Sequence, residues 1–209
     1  MSDSIITTQW EALADQPALD ATVEALAANG FNPIVVKTAD EAQQAVLDLL
    51  PEGIDVFTAR SATLAEMGLT QAIDESGRYD SIRARLASLD RATQVAEMRR
   101  LGATPSYVVG SVHAVTRQGH VLVASAGGSQ LTGYVAGAGK VIWVVGTQKL
   151  VADLDEGLRR IEEHCLPLES QRLQAAMGMP SFIGKIAIFR KEAIAGRITI
   201  ILVKQKLGV

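Results

Sequence analysis

The sequence predicts one α/β domain over residues 1–209, a doubly wound and mostly parallel sheet carrying an antiparallel hairpin insertion. Three observations predict it. Amphipathic helical stretches alternate with short apolar runs through the first half. The run at 140–146 is apolar after its first lysine, as a strand covered on both faces requires. Two further apolar runs flank the turn Arg117-Gln118-Gly119-His120, which is hairpin chemistry.

The elements follow in order. A helix is expected over 19–28, closed by Gly30, then a strand at 33–36. Thr38 and Glu41 form a capping box for a helix at 41–49, which Pro51 and Gly53 end before a strand at 54–57. Residues 63–101 read as mostly helical, with Ile82, Leu86 and Leu89 on one face and Val95, Met98 and Leu101 on another. A strand at 107–109 precedes the hairpin of 112–116 and 121–124. A glycine-rich loop and a weakly amphipathic helix lead into the strand at 140–146. A helix over 153–164, a break at Pro167, a short helix over 169–176 and strands at 186–189 and 198–203 complete the chain.

Composition narrows the function. Of 209 residues 48% are hydrophobic, 21% charged and 4% aromatic, with a net charge of −3, so neither a basic field nor an aromatic platform for nucleic acid is present. Arg78, Arg83, Arg85 and Arg91 sit among acids at helical spacing and read as a solvated helix face. The most apolar runs are five or six residues long, too short for a bilayer. With Asp3 and Glu11 near the start, the N-terminus lacks the pattern of a signal peptide, and the expected address is cytoplasmic. The single cysteine, Cys165, permits no internal disulfide and no thiolate-ligated cluster, and reads as a small apolar filler.

Common motifs fail on their spacing. Gly137-Ala138-Gly139-Lys140 ends like a phosphate-binding loop, but Tyr134 stands at the first glycine position and Val141 replaces the metal-binding hydroxyl. Gly128-Ser129-Gln130 lacks the glycine spacing of a nucleophile elbow. His113, His120 and His164 have no metal-ligand spacing, and no metal is expected.

Candidate binding residues lie on loops that carry a strand into a helix, the edge at which open α/β sheets take ligands. In the first, residues 58–66, Thr63 and Glu66 form a capping box and Ser61 projects just before it. In the second, Gly127 and Gly128 allow close backbone approach beside Ser129 and Gln130, and the N–H groups of the following helix suit an anion. A third, Gly146-Thr147-Gln148-Lys149, offers the Thr147 hydroxyl and a cation at a carboxyl end.

Three segments carry a family resemblance. The run GSVHAVTRQGHVLVASAGGSQLTGYVAGAGKVIWVVGTQKLVADLDEGLRRI, residues 110–161, resembles the core signature of the LUD (lactate utilisation) domain family. TARSATLAEMGL, residues 58–69, is similar to the family's strand-to-helix segment, and GRITIILVKQKLG, residues 196–208, to its terminal strand. The resemblance implies a fold related to the sugar-phosphate isomerase and CoA-transferase superfamily, and a place in bacterial lactate oxidation beside iron–sulfur partner subunits. Two departures mark the short, cluster-free branch of the protein C type: the C-terminal region has no cysteine array, and Gly128-Ser129-Gln130 stands where other members have Gly-Asn-Arg.

The expected function is an accessory or small-anion-binding role in lactate or related hydroxy-acid utilisation, with Ser61, Thr63, Glu66, Gly127, Gly128, Ser129, Gln130 and Thr147 around the ligand. The rival is an enzyme acting on a CoA ester or sugar phosphate, which needs a carboxylate or base in the cleft; Glu66 is the nearest in sequence. Catalysis, cofactor and oligomeric state stay open.

Overall fold

The structure, a computed structural model, describes residues 8–90 and 92–209; Asp3 and Arg91 lie outside them. Helix α1 (Gln16–Ala28) begins where the Asp15 carboxylate accepts from the Ala18 N–H at 2.8 Å, and it delivers the chain to β1 (Asn32–Val36). The expected cap of α2 (Ala39–Leu49) is present. Thr38 Oγ1 accepts from Glu41 N–H at 3.2 Å, while the Glu41 carboxylate accepts from Lys37 N–H at 2.6 Å, one residue before the usual partner.

After β2 (Asp55–Thr58) the long helical stretch resolves into α3 (Ala62–Glu66), α4 (Leu69–Asp74), α5 (Ile82–Ser88) and α6 (Val95–Ala103), with the two-residue strand β3 (Asp80–Ser81) between α4 and α5. The cap of α3 differs from expectation. Ser61, not Thr63, is the N-cap, because the helix starts at Ala62 and Leu64 N–H points at Ser61 Oγ. Arg83 also departs from a solvated face: its Nη2 donates to the Thr58 carbonyl at 2.9 Å and its Nε lies 3.6 Å from Asp74.

Strand β4 (Tyr107–Gly110) leads to the hairpin β5 (Ala114–Thr116) and β6 (Val121–Ser125). The helix expected after β6 shrinks to a short helical stretch at 131–137 that ends in a π turn over Gly133–Gly137, before the buried strand β7 (Lys140–Gly146) and the two-residue β8 (Leu150–Val151). Then α7 (Leu154–Arg160) runs through a π turn (Ile161–Cys165) into α8 (Leu166–Met177) without the expected break. The wider turn just ahead of Pro167 absorbs the hydrogen bond that its ring cannot make. Strands β9 (Lys185–Phe189) and β10 (Ile198–Val203) close the chain.

Six strands form one wholly parallel sheet in the order β1-β10-β7-β4-β2-β3, and four form a mixed sheet in the order β8-β5-β6-β9. Strand alternation splits the core. Val108, Val141, Trp143, Val145, Ile200 and Leu202 face α1, α5 and the small sheet, whereas Val109, Ile142, Val144, Ile201 and Val203 face α2, α3 and α4. The far side of the small sheet packs Ala114, Leu122 and Val151 against Trp10, Leu158 and Ile161. Among the described residues, no helix is long and apolar enough to cross a membrane.

Candidate functional site

The parallel sheet gathers the site at one edge. Strands β7, β4 and β2 are neighbours running the same way, so the segments that follow them emerge together. These segments bring Ser61 and Thr63 from β2, Ser111 and His113 from β4, and Lys149 from the 3-10 turn Thr147–Lys149 after β7. The end of β6 supplies Gly127, Ser129 and Gln130 across from them, and the cleft between measures about 610 Å³.

Lys149 is the pivot. Its side chain is buried, and Nζ donates to Thr63 Oγ1 at 2.9 Å and to Ser111 Oγ at 3.1 Å. Thr63 in turn lies 3.3 Å from the Leu207 carbonyl, to which its hydroxyl donates. Among the described residues no carboxylate comes within ion-pair distance of Nζ. Burial, followed by repulsion from Arg160, pushes the amine's pKa down to about 7, and the weaker pull of Cys165 and Glu66 does not restore it.

His113 stands beside it. Its Nδ1 accepts from Ala124 N–H at 3.1 Å, so the proton of the neutral ring sits on Nε2. Burial, then Lys149 and Arg160, push its pKa down to about 3. Arg160 is fully buried behind both: Nη1 donates to the His113 carbonyl and to Cys165 Sγ at 3.0 Å. Its Nε and Nη2 have no hydrogen-bond partner among the described residues. Cys165 is thus an acceptor for a buried guanidinium as well as a filler, and burial pushes its thiol pKa up.

The sequence-derived candidates divide. Ser61, Thr63, Gly127, Ser129 and Gln130 line one cleft. Glu66, Gly128 and Thr147 do not line it, each for a visible reason. The Glu66 carboxylate accepts from Gly208 N–H at 2.7 Å, which ties it to the C-terminal segment. Gly128 has φ +89°, its N–H donates to Ser125 Oγ at 2.9 Å, and a Cβ there would meet the Lys185 side chain at 2.9 Å. Thr147 is buried at the head of its turn. The helical stretch after Gly128, residues 131–137, is also too short for the helix-end anion site expected of it.

The sequence marks Lys149 only as the cation of the third loop, and it does not mark Ser111 or His113. Lys149 stood in the third loop, but no sequence pattern signals that its neighbours would be hydroxyls rather than carboxylates. In sequence His113 has the surroundings of any strand histidine, and its place behind β4 depends on the strand order.

The charge of the lining is one-sided. Arg60 is exposed at the rim with no ion pair among the described residues, and Arg83 and Arg172 also face the cleft. Glu169 is the one acidic side chain among the described lining residues, and Arg172 neutralises it at 2.6 Å. Among the described residues no cluster of three or more His, Cys, Asp or Glu is arranged to hold a metal.

The LUD domain family matches residues 19–206, which takes in β1 to β10 and all of the described cleft lining except Val209. The chain belongs to the LUD domain family. That family is associated with lactate utilisation, and this LUD domain shares its fold with a DUF162 family protein from Deinococcus radiodurans of known crystal structure. The two are 14% identical, with a TM-score of 0.52, over 92% of this chain and 99% of the other. Two weaker likenesses are to eIF2B beta from Chaetomium thermophilum (16% identity, TM-score 0.38, 56% of this chain and 44% of that one) and ribose 5-phosphate isomerase from Plasmodium falciparum (10% identity, TM-score 0.38, 82% and 94%). No curated protein matches the LUD domain chain.

Proposed function

We propose that this LUD domain is an accessory, small-anion-binding protein of lactate or related hydroxy-acid utilisation, and that the anion sits in the cleft over Lys149. The observation that supports the reading is a cation at the cleft floor with no carboxylate within ion-pair distance among the described residues. Lys149 is held by two neutral hydroxyls, and Arg60 at the rim has no ion pair among the described residues. Burying such a charge without a counterion is costly, and a carboxylate or phosphate arriving from solvent removes that cost. Ser61, Thr63, Ser129 and Gln130 supply hydroxyl and amide groups that fix an anion's orientation, and Gly127 leaves it room.

On this reading iron–sulfur partner subunits, which the family setting implies, would carry the electrons; the sole cysteine here is buried against Arg160. Calorimetric titration with lactate, phosphate and CoA tests the reading. A saturable heat that weakens with rising salt is expected for at least one of them. Absence of a saturable heat for all three, with the protein folded, would refute it.

A further inference from the structure

The Lys149 amine has neighbours that suit a nucleophile better than a fixed cation. An ordinary buried lysine meets a carboxylate and stays charged; this one meets Thr63 Oγ1 and Ser111 Oγ, which accept its hydrogen bonds without stabilising its charge as a carboxylate would. Lys149 is buried yet belongs to the lining of the cleft, which puts its side chain beside the space that a small molecule would enter. The groups facing it are Arg160 from α7, His113 beside β5, Cys165 from the π turn and Glu66 from α3. Arg160 is a permanent cation, His113 is neutral, and Glu66 is engaged by Gly208.

We infer that Lys149 is a covalent site for the carbonyl of a small 2-keto acid, which it captures as a reversible imine while the cationic lining holds the acid's carboxylate. The inference rests on the anion-binding reading of the same cleft, and it narrows the ligand to the oxidised counterpart of a 2-hydroxy acid. The step balances without an oxidant. The nitrogen lone pair attacks the carbonyl carbon and a C–N bond forms. The carbonyl π pair moves to oxygen, which takes a proton passed from the amine. The carbinolamine then loses its oxygen as water with a second proton from nitrogen, and the C=N bond closes. Hydrolysis runs the same path backwards. Thr63 and Ser111, hydrogen-bonded to Nζ, are placed to pass the proton.

The amine's lowered pKa fits this chemistry. With a pKa of about 7 half of Lys149 is neutral at pH 7, about a thousandfold more than an ordinary lysine.

Borohydride trapping tests it. The whole protein is incubated with pyruvate, reduced, digested and mapped by mass spectrometry, with lactate, which has no carbonyl, in a parallel sample. One reduced adduct on Lys149 is expected, at least about tenfold above any other lysine, increasing from pH 6 to pH 8 and competed by excess lactate. Lys149→Met, checked for folding by circular dichroism, should lose the adduct; the pH rise and the lactate competition read the same claim in the parent alone. Adducts spread evenly over surface lysines, or none on Lys149, would overturn the imine. Saturable binding of lactate and pyruvate without an adduct would overturn the imine alone and leave the anion site standing; no adduct together with no saturable binding of lactate, phosphate or CoA would remove both.

Discussion

Lys149 Nζ donates to Thr63 Oγ1 across 2.9 Å and so joins residues 86 positions apart, one in the turn after β7 and the other in the first turn of α3. The bond closes the cleft floor. Thr63→Val keeps the side-chain shape and removes the acceptor, leaving a buried donor short of a partner. It should cost about 1–3 kcal/mol in chemical denaturation. In the double variant with Lys149→Met the two effects should fall short of their sum, because the methionine has no hydrogen bond to lose.

The same lysine sets a pH dependence. Its folded pKa, about 7, lies below its unfolded value near 10.4, so between the two the unfolded chain binds more protons and stability rises with pH. The penalty for burying the charge is fully present below pH 7 and fades as pH climbs through that window. Melting curves of parent and Lys149→Met should therefore diverge most below pH 7, to the parent's disadvantage, and converge towards pH 10.

His113 acts on the acid side. Its folded pKa is about 3 against an unfolded value near 6.5, so the stability of the neutral form is complete above pH 6.5 and is lost as pH falls towards 3. Asn in its place offers an acceptor for the Ala124 N–H and carries no proton to titrate. His113→Asn should flatten the loss of melting temperature between pH 6 and pH 4.

Gly127 separates charge from space. It lines the cleft, lacks positive φ, and a Cβ there meets nothing within 4 Å, so Gly127→Ala and Gly127→Asp should both fold. The aspartate places a like charge where the anion sits. Ligand-induced stabilisation by lactate or phosphate in a thermal-shift titration should survive in the alanine variant and be lost in the aspartate variant.

Gly119 fixes the hairpin to α1. It has φ +72°, and a Cβ would lie 2.7 Å from the Ala25 backbone carbon, while Asn29 Nδ2 donates to the Gln118 carbonyl at 2.8 Å. Gly119→Ala should cost about 2–4 kcal/mol from left-handed strain plus backbone overlap, read as a lower denaturation midpoint.

Much of this fold is legible in the sequence because burial writes itself into pattern. The strand at 140–146 is apolar because both faces are covered, and the Thr38–Glu41 cap marks the start of α2. Two places misled for local reasons. Pro167 predicts a break, yet a π turn carries the helix through it; Thr63 has the spacing of a cap, yet Ser61, two residues earlier, holds that position. The membership of β5, β6, β8 and β9 in a separate sheet depends on pairings across up to some seventy residues, which no local period encodes. The cleft follows the same rule. Ser61, Gly127 and Gln130 were legible as loop residues at a carboxyl edge, but Lys149, Ser111 and His113 became a site only once β7, β4 and β2 were neighbours.

The most direct measurement is NMR of protein carrying ¹³Cε-labelled lysine, followed through pH titrations with and without lactate. One resonance, assigned by its loss in Lys149→Met, should titrate near pH 7 in the free protein and shift to a higher pKa when the anion binds, because a carboxylate beside the amine favours its charged form. A Lys149 resonance that keeps an ordinary lysine pKa and ignores lactate, phosphate and CoA alike would contradict the account.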